Sequence, residues 1–488
     1  MTDQQRFDTV GAWGHDHMIT PNMDRLVADG MSFRQAYCPG ATCVASRSAI
    51  FTGMYPHTTG VYSFDRWAGH RTWVQDLADA GYWCANIGKM HFTPRDVPGG
   101  FHDRVIVENP TNRTHAMGGA DDDWGKYMRL HGVTRPNERN KTDPDWLSKY
   151  QGLAWHEEER FHSDVFIGNS AVSWIDGHQD EGPFFLEVGL TGPHEFWDPL
   201  QRHLDLYDGR EVPPRVMRPG ELDEKPPQHL ARQRFHATTQ HESVIDIASA
   251  NDEDIARMRR HYYAKITTVD EQIGRVMDAL EQRGYLENSL VIFCSDHGEL
   301  LGDHNLAYKW LMYDPIVHIP LVIRTPGTVG APSHQDDLVS LIDLGPTILE
   351  AAGVEVPDYL EGRSLGPYLR QEEVKCRSFV CAEDNYQVMY RTKTHKLVYY
   401  VGQPHVGELY DLDADPDELY NQWGDPCLES IQKNMLLALL EWMASSTYWN
   451  AGYKRGDGKQ YRMRWPGEGD YGLHGGGQNA KRKPLSYL

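Results

Sequence analysis

Along the first 370 residues the apolar positions fall into two spacings. Stretches with apolar residues every third or fourth position read as helices, and short unbroken apolar runs read as strands buried on both faces. TPNMDRLVADG predicts a helix with Thr20 as its N-cap, Pro21 in the first turn and Gly30 just past its end. The strand SFRQAYC follows it, and the helix RTWVQDLADAG, closed by Gly81, precedes the strand YWCANIG. PFFLEVGL, SLVIFC and PLVIR are further strands, and a long helical pattern over residues 252–284 leads into SLVIFC. Strands alternating with helices predict an α/β fold, with a large, mostly parallel sheet sandwiched by helices. In such sheets, ligands gather at the carboxyl ends of the strands.

After about residue 375 the texture changes. SFVCAED, YQVMYRT and HKLVYY are short strands bounded by turns, and CLESIQKNMLLALLEWMA is a helix. The pattern predicts a smaller antiparallel sheet carrying one helix. The chain thus divides into a large α/β domain, residues 1–370, and a C-terminal α+β subdomain with its tail, residues 371–488. The Pro-rich segment from about 200 to 250 reads as a long surface insertion. The Gly-rich tail reads as loosely held, or as reaching over a neighbour in a homo-oligomer.

Composition narrows the class of partner. Lys and Arg number 48 against 70 Asp and Glu, a formal charge of −22, so a nucleic-acid surface is excluded. A small anionic substrate stays compatible where a few cations converge. The seven cysteines contain no CxxC pair, which argues against a zinc ribbon or a thioredoxin-like site and for a reducing compartment. The opening residues MTDQQRFDTVGAWGH have no apolar leader pattern, and no run approaches 18 apolar residues. A cytoplasmic protein without a membrane span is the expectation.

Several polar clusters sit directly after predicted strands: SDHGE after VIFC, GKMHF after WCANI, and TGPHEF after FFLEVGL. Asp296 and His297 offer neighbouring oxygen and nitrogen ligands for a divalent cation. Arg47, Lys89, His91, His194 and Lys309 offer hydrogen-bond donors suited to a tetrahedral oxyanion. TCVASRSAIFTG places Cys43 at the start of a helix. From the residues alone, Cys43 is a buried thiol, a nucleophile, or the precursor of something else.

Taken in order, these elements resemble the formylglycine-dependent (type I) sulfatases of the alkaline-phosphatase superfamily, over nearly the whole chain. The signature C-x-P/A-x-R with a short helix ending in Thr-Gly is matched by Cys43, Ala45, Arg47, Thr52 and Gly53. Gly-Lys-x-His is matched by Lys89 and His91, Pro-His by Pro193 and His194, and Asp-His-Gly by Asp296, His297 and Gly298, with Lys309 following in HNLAYKW. The resemblance implies hydrolysis of a sulfate monoester of an aryl, alkyl or sugar alcohol. It implies that a formylglycine-generating or radical maturation enzyme oxidises Cys43 to formylglycine, whose hydrated aldehyde attacks sulfur and then expels sulfate. The implied metal ligands are Asp3, Cys43, Asp296 and His297 around Ca²⁺, with Mg²⁺ or Mn²⁺ as alternatives. Arg47, Lys89, His91, His194 and Lys309 take the catalytic roles.

The chain also departs from the pattern. Ala45 stands where Pro is commoner, and Met90 and Phe92 where Trp and Leu are common. The family's first metal aspartate follows an apolar strand, whereas Asp3 has none before it and Gln4 replaces a second Asp. His57, Trp197 and His304 are further candidates for the pocket, each with a structural reading beside it. Two rivals remain: a phosphonate monoester or phosphodiester hydrolase of the same superfamily, and an inactive binding protein with this fold. Specificity is expected in loops 100–160 and 200–250 and in the tail.

Overall fold

The computed structural model describes the chain except residues 64–66, 68, 109–120, 137–149, 151, 180–181, 239–243 and 450–488. The Gly-rich tail and much of the 100–160 loop therefore lie outside the described residues. Thirteen strands are described: β1 Met31–Phe33, β2 Ala36–Tyr37, β3 Trp83–Gly88, β4 Asp103–Ile106, β5 Phe184–Gly189, β6 Val291–Cys294, β7 Leu321–Arg324, β8 Ser333–Gln335, β9 Val339–Ser340, β10 Val380–Asp384, β11 Gln387–Arg391, β12 His395–Tyr400 and β13 Gly407–Asp411. The helices include α1 Pro21–Asp29, α2 Cys43–Thr52, α3 Trp73–Asp79, α4 Ser163–Gly177, α5 Pro227–Thr238, α6 Asp252–Gln282, α7 Leu344–Ala351 and α8 Glu429–Trp449.

The central sheet is mostly parallel. One part runs β4-β3-β5, all parallel, and another runs β6-β7-β1-β8, in which β7 is antiparallel to both neighbours. The opening residues join the two parts. The Met1 ammonium donates to the Val188 carbonyl at 2.8 Å, and the Leu190 amide to the Met1 carbonyl at 2.9 Å. On the other side the Thr2 amide donates to the Cys294 carbonyl at 2.9 Å, and the Asp296 amide returns to the Thr2 carbonyl at 3.2 Å. Residues 1–3 thus form a short stub that bridges the two parts of the sheet and ends at Asp3. Behind the stub, between β5 and β6, lies an apolar cavity of about 340 Å³ lined by Met1, Phe51, Trp73, Leu186, Ile292 and their neighbours.

Helices cover both faces. Leu321 and Ile323 of β7 enter one core with Phe51, Trp73, Leu77 and Leu344, while Val322 enters the other with Leu26, Ile167, Tyr262 and Val269. That alternation is the period-two geometry of a strand buried on both sides. The long helix α6 opens with a capping box between Asn251 and Asp254 and buries Ile255, Met258, Tyr262, Ile266 and Val269 at spacings of three and four.

In the smaller sheet, β10 to β13 pair antiparallel in sequence order. Val388, Tyr390, Leu397 and Leu409 pack on Met435, Leu439 and Trp442 of α8. Met389 and Val398, on the opposite face, join the main core. The small sheet is therefore docked on the body, and the Glu383 amide donates to the Pro39 carbonyl at 3.0 Å.

The 200–250 segment differs from its expectation as a surface insertion. Pro227 opens α5, and Lys225, His229 and His236 are buried. The Lys225 ammonium reaches the Tyr410 hydroxyl at 3.0 Å, which clasps the segment between the body and the small sheet. The prolines fix turns and a helix start there instead of marking a solvated loop. Among the described residues no helix is long and apolar enough to cross a membrane.

Candidate active site

The site is built from loops at the carboxyl ends of the stub, β3, β5 and β6, facing the first turn of α2. Thr42 is extended, and Cys43, 1% exposed, is the first helical residue, so its thiol sits at the positive end of a buried helix. One turn on, the Arg47 Nε donates to Asp296 Oδ2 at 2.7 Å and its terminal nitrogen to the Lys89 carbonyl at 2.6 Å. Arg47 thereby ties together the loops after β6 and β3. The Ser46 hydroxyl donates to the Asp296 carbonyl at 2.6 Å, closing the same corner.

Asp3, Asp296 and His297 bring their ligand atoms within 4.8 Å of one another, all fully buried. Asp296 Oδ1 accepts the amides of Gln4 at 3.0 Å and His297 at 2.9 Å. His297 Nδ1 faces the Gly298 carbonyl at 2.9 Å and so carries the proton. Its Nε2 lone pair then lies 3.8 Å from Asp3 Oδ1 and 3.9 Å from Asp296 Oδ1. Asp3 Oδ1 and His297 Nε2 have no hydrogen bond of ordinary geometry. Two carboxylates and an imidazole lone pair converging in a buried space fit a divalent cation.

Cations surround this group. The Lys89 ammonium is bonded to Asp3 Oδ2, and Lys309 to the Gln4 carboxamide oxygen. The Gln4 amide donates to Glu195 at 3.0 Å and to Glu299. His194 Nδ1 lies 2.8 Å from the Glu195 carbonyl. His91, at a positive φ of 60°, donates its amide to Glu108 at 3.1 Å.

The electrostatics follow from burial and these neighbours. Burial pushes the Cys43 thiol up, but Lys89 and Lys309 outweigh it and hold the thiol below its ordinary value. Burial likewise raises Asp3, and Lys89 together with Arg47 overcomes it, so Asp3 is ionised. Burial and Lys89 lower His91 to about 4, and burial and Lys309 push His194 well down. Both imidazoles are neutral at pH 7.

Burial also lowers His236 to about 3 and His261 to about 4. With their folded values depressed, these imidazoles stay neutral in the native state while the unfolded chain takes up protons below its value of 6.5. Stability therefore rises with pH between about 4 and 6.5, by up to about 3 kcal/mol for each such group. Urea unfolding at pH 7 and pH 5 is expected to show the lower midpoint at pH 5, and His261→Gln to shrink the difference. Equal midpoints in the native protein would refute this.

Three candidates lie elsewhere. His57 is held between Glu383 and the Ser446 hydroxyl, each at 2.7 Å, which docks α8. His304 is bonded to Glu221 at 2.6 Å and stacked on Tyr313 with centroids 3.8 Å apart. Trp197 is fully buried beside Tyr262 and Tyr308. Gln4, in contrast, is part of the cluster. Glu195, Glu299 and Glu108 also belong to it and were not singled out from the sequence. Glu195 stands inside GPHEF and Glu299 inside SDHGE, so their place after a strand was the available signal.

The sulfatase family model matches residues 1–354, and the model for the C-terminal part of N-sulphoglucosamine sulphohydrolase matches residues 302–445. The chain is 28% identical to an arylsulfatase of Clostridium perfringens over 443 residues, covering 86% of this chain and 88% of that one. It is 30% identical to a choline-sulfatase of Rhizobium meliloti over 435 residues, 84% of this chain and 79% of that one. In structure it is similar to a phosphonate monoester hydrolase of Agrobacterium radiobacter, with a TM-score of 0.77, 24% identity, and coverage of 91% and 94%.

Proposed function

This chain belongs to the sulfatase family and is a sulfuric ester hydrolase, and from that premise we propose that Cys43 is the precursor of its nucleophile and that Asp3, Asp296 and His297 hold its divalent ion. The observation that carries this reading is the convergence of three buried metal-type ligands on a thiol at a helix N-terminus. Formylglycine made from Cys43 supplies a hydrated aldehyde, one hydroxyl to attack sulfur and a second whose deprotonation lets sulfate leave. A Ca²⁺, Mg²⁺ or Mn²⁺ ion, when bound, supplies positive charge beside both the nucleophile and the ester.

The chain's own residues do the rest. Lys89 and Lys309 give fixed positive charge for the sulfate oxygens in a site without bulk water. His194 and Lys309 contact the sulfate and assist the leaving oxygen. His91, neutral at pH 7, is a proton acceptor. Arg47 positions: it locks Asp296 and the Lys89 backbone on either side of Cys43. The cysteines among the described residues are all unpaired thiols, which fits the reducing interior of a cell.

The likeness to a phosphonate monoester hydrolase, at 24% identity, carries the fold alone. Matured enzyme is expected to turn over 4-nitrophenyl sulfate at least about tenfold faster, in kcat/KM, than an aryl phosphonate monoester. The reverse order, measured side by side, would overturn sulfate as the substrate group.

A further inference from the structure

Asp384 ends β10 with its side chain fully buried, and neither carboxylate oxygen has a hydrogen bond of ordinary geometry. Its polar neighbours are the Thr42 hydroxyl, also without an ordinary partner, and the Asn385 amide, with Arg232 and Lys309 further off. Native proteins pair nearly all buried polar groups, so an exception calls for a missing partner. Burial pushes this carboxyl up to about 7, which reflects how poorly the protein alone solvates its charge.

The position of Asp384 says what that partner is. Thr42 directly precedes Cys43, and the amide of Glu383 is fixed to Pro39 at 3.0 Å. On the far side of the hairpin, the Gln387 carboxamide donates to the Trp310 carbonyl at 2.9 Å, next to Lys309. The β10–β11 hairpin is therefore pinned on both flanks of the nucleophile. Arg232 lies over the Trp310 ring at 4.9 Å. Beside it opens a pocket of about 500 Å³ lined by Gln228, Arg232, Asn385, Tyr386, Gln387 and Gln403. Leu311, Tyr400 and Val401 complete the lining, and amides, a guanidinium and phenols set among such apolar side chains suit the ring of an alcohol with several hydroxyls. A quaternary ammonium has no hydrogen to donate, and Arg232 and Lys309 repel it.

We propose that Asp384 accepts hydrogen bonds from hydroxyl groups of the substrate's alcohol part, and hence that the substrate is a sulfated sugar. This deepens the sulfatase reading above and rests on it. Asp384 is a specificity-determining residue beside Thr42.

The test uses matured full-length enzyme, with Asp384→Ala and Asp384→Asn beside the native protein. The substrates are 4-nitrophenyl sulfate, choline sulfate and a panel of hexose and hexosamine monosulfates, with monodeoxy analogues of the preferred sugar. The native enzyme is expected to prefer a sugar sulfate, and both variants to lower the sugar-to-aryl ratio of kcat/KM by about 30-fold or more. Removing the recognised hydroxyl is expected to cost the native enzyme about tenfold or more and the variants nothing, a coupling that a merely structural carboxylate cannot show. An unchanged ratio, equal losses on every substrate, or a native preference for choline or aryl sulfate would overturn the proposal. A matured native enzyme that cleaves no sulfate ester at all would instead sink the sulfatase reading itself.

Discussion

Cys43→Ala is expected to lower kcat/KM on any sulfate ester by roughly 10⁴- to 10⁶-fold, the scale on which removal of a nucleophile acts in hydrolases. The change deletes one sulfur from a buried helix start, so it should cost no more than about 1–2 kcal/mol of stability. Circular dichroism and thermal melting would verify that the variant is folded. The residual rate reports what Lys89, Lys309 and the helix terminus achieve on water alone. Alanine cannot be converted to an aldehyde, so turnover near the native level would remove both the nucleophile and its maturation from the mechanism. Mass spectrometry of the Cys43 peptide from native enzyme provides the complementary readout: an active preparation carrying only unmodified thiol contradicts the proposal from the other side.

Asp296→Asn should be nearly as damaging, for two separable reasons. The carboxylate is bonded to Arg47 at 2.7 Å with both side chains fully buried. Losing its charge leaves a buried guanidinium without a counter-ion, a penalty of about 3–5 kcal/mol. The same substitution removes one of the two carboxylates proposed to hold the ion, so bound metal should fall to background by elemental analysis and activity by about 10³-fold or more. Asp3→Asn tests the second carboxylate, which is bonded to Lys89 in place of Arg47 and leaves a buried ammonium unpaired. Its metal loss should be similar, with Arg47 still paired. Retention of stoichiometric metal in both variants would place the ion elsewhere.

The strands and the site were legible for one physical reason. A strand buried on both faces must be a short apolar run, and the polar residues immediately after it can only lie at the sheet's edge. SDHGE, GKMHF and GPHEF each follow such a run, so their convergence was written in the periodicity. What could not be read was which polar residue points inward. His57 and His304 sit in loops as promising as those of His91 and His194, yet they pair with Glu383 and Glu221, carboxylates 326 and 83 residues away in sequence. Such partners come from tertiary packing and leave no local trace. Asp384 was missed for the same reason. It closes an ordinary antiparallel strand, and its importance arises only because that strand ends against Thr42. The 200–250 segment misled because prolines punctuate both solvated loops and tightly folded short helices.

The stub formed by Met1, Thr2 and Asp3 carries a consequence for cooperativity. Its backbone bonds hold β5 and β6 together, and its last side chain reaches into the ligand cluster. Where Asp3 holds the ion as proposed above, cohesion of the two halves of the sheet and retention of the ion are linked. Whatever tightens the cation draws the halves together, and whatever loosens the join weakens the hold on the cation by the same free energy.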